Sequence, residues 1–146
     1  MKNQNDMLHT VITGPPGVGK TCLGKILGSL YNKLGILATD KFTIVSRSDL
    51  IGQYLGETSI KTQKCIDKAD GGVLFIDEAY ALGNTEKRDS YSKECIDTLT
   101  KNLSEKKTFI CIIAGYKEAL NECFFAHNSG LDRRFSFRYD LPQYKK

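Results

Sequence analysis

The segment with the clearest chemistry in this sequence is Gly14-Pro15-Pro16-Gly17-Val18-Gly19-Lys20-Thr21, which Cys22 follows directly. It matches the pattern GxxxxGK[ST], whose backbone N–H groups surround phosphate oxygens. The two prolines have no N–H, so the donors must come mainly from residues 17–21, at the positive end of the next helix. Lys20 supplies a cation for the β- and γ-phosphates, and Thr21 supplies a hydroxyl for Mg²⁺. The segment therefore predicts that residues 14–22 bind ATP.

A second candidate is the acidic pair Asp77-Glu78, directly after the apolar run at 73–76. Such a run is typical of a strand buried on both faces, and it delivers the pair to the carboxyl edge of a parallel sheet. Asp77 can help to hold Mg²⁺, and Glu78 can polarise a water for attack on the γ-phosphate. An acidic pair alone is more often a helix cap, but the phosphate segment in the same chain favours the hydrolytic interpretation.

The elements that position these residues alternate along the chain between strands and helices. Strands are predicted at 8–13, 42–45, 73–76, 109–114 and 135–140. Four helices are predicted. The first follows Gly19 on the apolar stripe Leu23, Ile26, Leu27, Leu30 and Leu34, with Gly35 as C′, and the second spans 59–69 with Ser59 as the cap. The third lies on the stripe Tyr91, Cys95, Leu99 and Leu103, with Asp89 or Ser90 as the cap, and the fourth spans 117–125. This order predicts an α/β P-loop NTPase fold with three layers, in which helices cover both faces of a parallel sheet.

Size and composition fit one domain with an ordinary core, because 146 residues are 40% hydrophobic and 26% charged. The net charge of +4 comes without a run of basic residues, so we expect neither a nucleic-acid nor a membrane surface. Five irregularly spaced cysteines argue against disulfides or zinc, and Cys111 is expected in the core. With no signal peptide or spanning segment in view, we expect a cytoplasmic protein.

Three further stretches, 46–58, 71–82 and 131–135, resemble the AAA+ ATPases. Together with the phosphate segment they follow that family's order from about Leu8 to Tyr144. The similarity is greatest to the CbxX/CfqX branch, which includes red-type rubisco activases and accessory ATPases of bacterial secretion systems. The resemblance implies five parallel strands in the order 5-1-4-3-2. It also implies a homo-oligomeric ring, usually a hexamer, with ATP at each subunit boundary.

The resemblance also implies roles for two further places. Tyr54-Leu55-Gly56 matches the loop that lines the ring's pore, where an aromatic side chain grips a threaded polypeptide; by residue type alone, an ordinary buried tyrosine is favoured. Arg134 matches the arginine finger that reaches the γ-phosphate of a neighbouring subunit. Arg133 competes for that role, and two arginines can also simply solvate a turn. Tyr116 follows the fourth strand, where many AAA+ proteins have a polar sensor, and it stays outside the predicted site.

In the family, a small helical lid normally follows at the point where this sequence ends. Residues 1–146 are therefore predicted to be one AAA+ core domain that stops where the lid would begin. The predicted function is an ATP-hydrolysing motor core that remodels or threads a protein. Since the lid supplies part of the adenine pocket, one alternative is an ATP-binding assembly module with negligible hydrolysis. A nucleic-acid loader or helicase-type ATPase ranks lower, because its surface should be basic.

Overall fold

The computed structural model describes residues 8–15, 19–54, 56–78, 90–105, 108–120 and 134–141, with the backbone alone for 90–92 and 119. The strands of this part of the chain are β1 (Thr10–Thr13), β2 (Phe42–Val45), β3 (Val73–Ile76), β4 (Ile110–Gly115) and β5 (Phe137–Asp140). The helices are α1 (Lys20–Lys33), α2 (Arg47–Leu50), α3 (Glu57–Lys68), α4 (Ser90–Glu105) and α5 (Lys117–Leu120).

The five strands form one sheet in the order β2-β3-β4-β1-β5, and every neighbouring pair is parallel. This confirms the predicted order, read from the opposite side. At the centre, Ile113 of β4 lies opposite Ile76 of β3 and Val11 of β1. Because all strands run the same way, their carboxyl ends meet at one edge of the sheet, where α/β proteins bind ligands.

Helices cover both faces of the sheet, as predicted. On one face, α1 packs over a cluster of buried side chains that includes Ile12, Tyr31, Phe75 and Ile112. On the other face, the helices α3 and α4 pack against each other and over a larger cluster, whose members include Ile66, Leu74, Leu99, Leu103 and Cys111. The strands β1, β3 and β4 are buried along their whole length, which explains the apolar runs of β3 and β4, whereas β1 buries a threonine at each end.

The contact between α1 and the sheet differs from the predicted apolar stripe. Leu23 and Leu27 are partly buried against the core, but Ile26, Leu30 and Leu34 are 60%, 47% and 63% exposed. The helix instead buries Gly24 and Gly28, where an added Cβ would lie 2.8 Å from the ring of Phe75 and 2.9 Å from Val73. Two glycines on this face let the helix approach the sheet closely. The end of α1 agrees with the prediction, since Gly35 follows the C-cap residue with φ 81°.

The start of α3 corrects the predicted cap. The helix begins at Glu57 after Gly56, whose φ is 82°, so Ser59 lies inside the first turn. The buried positions are Thr58, Thr62 and Ile66, and two threonines on the inner face explain the weak apolar periodicity. The short helix α2 was not predicted, although Ser46 and Asp49 form a capping box at its start.

The remaining predictions agree with the structure to within two residues where it describes them. β1 begins at Thr10, β4 spans Ile110–Gly115, and β5 lies at the edge with its side chains exposed. The helix α4 buries Cys95, Leu99 and Leu103, and it includes Ser90, which is therefore not its cap. Asp89, the side chain of Tyr91 and the end of the predicted helix at 121–125 lie outside the described residues.

The cysteines of the described residues are free thiols, and Cys111 is fully buried in the core, as predicted. Cys123 lies outside those residues. None of the helices in the described part of the chain has the length and apolarity required to cross a membrane.

Gly72 provides a test of how closely the turn before β3 packs against Lys41, the residue that precedes β2. A Cβ at this position would overlap the carbonyl oxygen of Lys41 and lie 3.0 Å from its carbonyl carbon. We expect Gly72→Ala to lower the free energy of unfolding by about 2 to 3 kcal/mol, because backbone cannot move aside cheaply. Gly35→Ala is the control, since its φ is 81° with open space around it, and it should cost only about 1 kcal/mol. Urea unfolding measures both, and equal losses would contradict this packing.

Candidate active site

The phosphate segment leaves β1 at the carboxyl edge of the sheet, as predicted. The N–H of Gly14 donates to the carbonyl of Gly115 at 3.1 Å, which ties the start of the loop to the end of β4. Gly19 precedes α1 with φ 95°, in the left-handed region that favours glycine. Pro16, Gly17 and Val18 lie outside the described residues. The loop thus joins a buried strand to the amino end of a helix of 14 residues, which is the setting that the predicted phosphate-binding pattern requires.

Lys20 folds back over the loop that precedes it. Its Nζ donates hydrogen bonds to the carbonyls of Gly14 and Pro15, at 2.8 and 2.9 Å. The same Nζ lies 5.9 Å from the centroid of the Tyr116 ring, within range of a cation–π interaction. The ammonium group is therefore held at the mouth of the phosphate loop.

Tyr116 is the residue that sequence reasoning left outside the site and the structure brings into it. Its ring is 45% exposed beside Lys20. The signal for this contact is topological: Tyr116 follows β4, and the carboxyl end of β4 lies beside that of β1, from which the phosphate loop leaves. The order of the strands in the sheet is what places Tyr116 near Lys20.

The acidic pair leaves the sheet at the same edge as the phosphate loop. The N–H of Asp77 donates to the carbonyl of Val45 at 3.0 Å, so the backbone of Asp77 is fixed at the end of β3. β4 lies between β3 and β1, so the backbone at Asp77 lies two strand spacings, roughly 10 Å, from that of β1. Side chains from both positions can reach one ligand between them.

Glu78 has a strained backbone. Among the described residues, it is the one non-glycine with a positive φ, at 53°, and its side chain is exposed. A non-glycine residue in this region costs of order 1 to 3 kcal/mol and is concentrated at functional sites. Glu78 thus lies in a strained turn directly after Asp77, at the carboxyl ends of the strands.

Thr21 and Cys22 form the first turn of α1 next to Lys20. Thr21 is half-buried and Cys22 is exposed. The hydroxyl of Thr21 and the carboxylate of Asp77 are oxygen donors, the kind of ligand that Mg²⁺ prefers. The donor set at this edge therefore fits a hard divalent cation bound together with phosphate oxygens.

Arg134 lies at the amino ends of the parallel strands, whereas the phosphate loop lies at their carboxyl ends. It precedes the parallel strand β5, and its Nε donates to the Ser104 hydroxyl at 3.1 Å, near the end of α4. Its neighbour Phe135 packs on His9 at the start of β1, with ring centroids 5.9 Å apart. The structure therefore does not bring Arg134 to the phosphate loop of its own chain. Arg133 lies outside the described residues.

Tyr54 is 69% exposed in the loop between α2 and α3, so the interpretation as an ordinary buried tyrosine is wrong. Gly56 follows with φ 82° and starts α3, whereas Leu55 lies outside the described residues. The loop lies on the β2 side of the molecule, because α2 follows β2 directly.

Comparison with known proteins agrees with this fold. The profile described as "ATPase family associated with various cellular activities (AAA)" matches residues 10–139. The chain therefore belongs to the AAA family of ATPases. The AAA domain of FIGL-1, solved in complex with ADP, superposes with a TM-score of 0.64 at 21% identity, over 94% of this chain and 44% of that one. This likeness supports the fold alone.

Within the family, the chain matches the CbxX/CfqX branch, as predicted. It is 52% identical to a cfxQ-like protein of Acanthamoeba polyphaga mimivirus over 97% of this chain and 35% of the relative. It is 39% identical to stage V sporulation protein K of Bacillus subtilis over 99% of this chain and 44% of the relative. The chain thus spans less than half the length of these curated relatives.

The cysteines offer a chemical test of the site. Burial raises the pKa of Cys95 to about 11 and raises that of Cys111 further, so both remain protonated thiols near neutral pH. In a Cys123→Ser variant at pH 8, we expect iodoacetamide to modify the exposed Cys22 first and to spare the two buried thiols until the chain unfolds. Saturating ATP with Mg²⁺ should slow the modification of Cys22 several-fold, because Cys22 belongs to the first turn of α1. Mass spectrometry of the peptides measures each rate, and the half-buried Cys65 is the internal control. A Cys22 rate that ATP leaves unchanged would contradict binding at this helix end.

Proposed function

We propose that this chain is the ATP-hydrolysing core of a ring-forming AAA motor that threads or remodels a protein substrate. The observation that carries the proposal is the meeting of three groups at one sheet edge. These are the Lys20 ammonium on the phosphate loop, the Asp77 carboxylate after β3 and the strained Glu78 beside it. Membership of an ATPase family supplies the reaction class, and the site supplies the roles.

The proposed roles follow from the chemistry of each group. The N–H groups at the start of α1 bind phosphate oxygens, and Lys20 exchanges its two carbonyl partners for the β- and γ-phosphates. Thr21 and Asp77 would hold Mg²⁺, which when bound neutralises charge on the phosphates. Glu78 orients a water for attack on the γ-phosphorus, in line with the bond from that phosphorus to ADP. Glu78 also accepts the proton of this water. The exposed position of Glu78 leaves space for that water.

A second subunit completes the proposed site. The phosphate loop lies at the carboxyl ends of the strands and Arg134 at their amino ends, so Arg134 can contribute only to the nucleotide of another copy. A head-to-tail contact of this kind closes into a ring when its rotation permits. An arginine finger stabilises charge on the transferring phosphoryl group, a contribution worth about 10³ to 10⁵ in rate. The bond to Ser104 holds the Arg134 side chain near its own α4.

Tyr54 is the proposed point of contact with the protein substrate. Its ring is the most exposed of the large hydrophobic side chains that the structure describes. A flat amphipathic ring offers a large contact area with few torsions to immobilise, which suits a grip that tolerates many sequences. The names of the similar proteins do not identify a substrate for this chain.

Separating binding from turnover tests the assigned roles. We expect Glu78→Gln to bind ATP as the parent chain does and to lose hydrolysis by at least a hundredfold, because general-base catalysis contributes about 10² to 10⁴. Lys20→Ala should lose binding itself, because the cation for the phosphates is removed. Titration with a fluorescent ATP analogue and release of phosphate measure the two properties.

Lys25→Ala is the control for Lys20→Ala, since it removes an exposed lysine from the same helix without touching the loop. A Glu78→Gln variant that hydrolyses ATP at the parent rate would show that another group activates the water. Undiminished binding in Lys20→Ala would move the phosphate site away from this loop.

A further inference from the structure

The loop that carries Tyr54 rests on the side chains of α3. Five polar side chains of this helix bond to the backbone between Ser48 and Tyr54. Glu57 accepts from the N–H groups of Gln53 and Tyr54, Thr58 accepts from that of Gly52, Lys61 donates to the carbonyls of Ser48 and Ile51, Thr62 to that of Leu50 and Cys65 to that of Asp49. The end of α2 and the loop that follows it thereby find partners for their backbone groups on α3.

Glu57 makes the contacts closest to the tip of this loop. Its Oε1 accepts the N–H of Gln53 at 2.6 Å and that of Tyr54 at 3.2 Å. Its own N–H donates to the carbonyl of Tyr54 at 3.1 Å. Both backbone groups of Tyr54 are therefore bonded to Glu57, and the left-handed Gly56 makes the turn between the two residues possible.

The ionised form of Glu57 is the form that holds the loop. The hydrogen bond from Gln53, then that from Tyr54, lowers the pKa of the Glu57 carboxyl below its ordinary value, and the Lys61 ammonium acts more weakly in the same direction. A carboxylate that accepts two backbone N–H groups binds them more strongly than a neutral acceptor does. The short distance to Gln53 is consistent with such a charge-assisted bond.

The Tyr54 side chain is left exposed while its backbone is fixed. Fixing the backbone of one residue costs roughly 1 to 2 kcal/mol of conformational entropy, and a loop ordered in advance does not lose that amount again on binding. An extended polypeptide has no fixed surface of its own and gains most from a partner that is already ordered. The geometry therefore favours a rigid backbone that carries one movable aromatic ring.

We propose that Glu57 is the positioning residue of the Tyr54 loop, and that its carboxylate orders the backbone at Gln53 and Tyr54 so that the ring is presented to an extended polypeptide. The polypeptide as partner rests on the proposed function. The ordering of the loop rests on the contacts of Glu57 alone. Glu57 itself does not touch the substrate in this proposal.

A simpler role for Glu57 makes a different prediction. An acidic residue in the first turn stabilises any helix through the helix dipole. Loss of that effect would loosen α3 as a whole, whereas loss of the positioning contact loosens the N–H groups of Gln53 and Tyr54 specifically. Glu118 is a matched control, because it is an exposed acidic residue in the first turn of α5.

Amide hydrogen exchange, resolved by residue with NMR spectroscopy, decides between these roles. In Glu57→Ala we expect exchange at Gln53 and Tyr54 to rise by about tenfold or more, because both lose their acceptor. Gly52, whose acceptor is Thr58, Ile66 within α3 and Ile112 in β4 should change little. Glu57→Gln keeps an acceptor oxygen without the charge and should restore part of the protection. Glu118→Ala should leave all of these amides unchanged.

Unchanged exchange at Gln53 and Tyr54 in Glu57→Ala would overturn the proposal. An equal rise at Ile66 would also overturn it, since it would show that α3 loosens as a whole, and so would an equal rise at Ile112, which would show general destabilisation. Phosphate release by the same preparations, with Glu78→Gln as the blank, reports on the proposed function separately. Turnover no higher than the blank would contradict the motor without bearing on the exchange result.

Discussion

The parallel pairing of β4 between β1 and β3 is the constraint on which the site depends. β1 delivers the phosphate loop and β3 delivers Asp77 and Glu78, and the central strand fixes the distance between them. Parallel strands that are buried on both faces need mainly apolar side chains, which is what β3 and β4 contain, and β1 places Val11 and Ile12 between two buried threonines. The apolar interior and the polar edge are therefore two consequences of one arrangement. A slip in the register of β4 would separate the lysine from the acidic pair.

The helices adapt to this sheet in two different ways. The helix α1 approaches closely through Gly24 and Gly28, so its amino end lies directly at the phosphate loop. The helix α3 instead turns polar side chains toward the end of α2 and the loop that follows it, and bonds to their backbone. The first solution positions a helix end for an anion, and the second builds an ordered loop at the surface. Both helices use glycines or polar side chains for these contacts, and a search for periodic apolar residues does not detect them.

This contrast explains how far the sequence alone could predict the structure. The buried strands, the phosphate loop and the acidic pair are local patterns with a physical cause, and the fold inferred from them is confirmed. The cap at Ser59 was wrong because Gly56 starts the helix earlier, and the stripe through Ile26 and Leu30 was wrong because glycines make the contact with the sheet. The proximity of Tyr116 to Lys20 arises from strand order, and no local pattern of residues encodes it.

The central claim is that one copy of the chain holds the ATP and a second copy completes the site with Arg134. ATP turnover per subunit, measured across a wide range of protein concentration with Glu78→Gln as the blank, tests it most directly. The account predicts that turnover per subunit rises with concentration as copies assemble, and that it is absent from the blank. Turnover per subunit that stays constant with concentration would contradict a site shared between copies. Turnover no higher than that of the blank would contradict the hydrolytic role of the site itself.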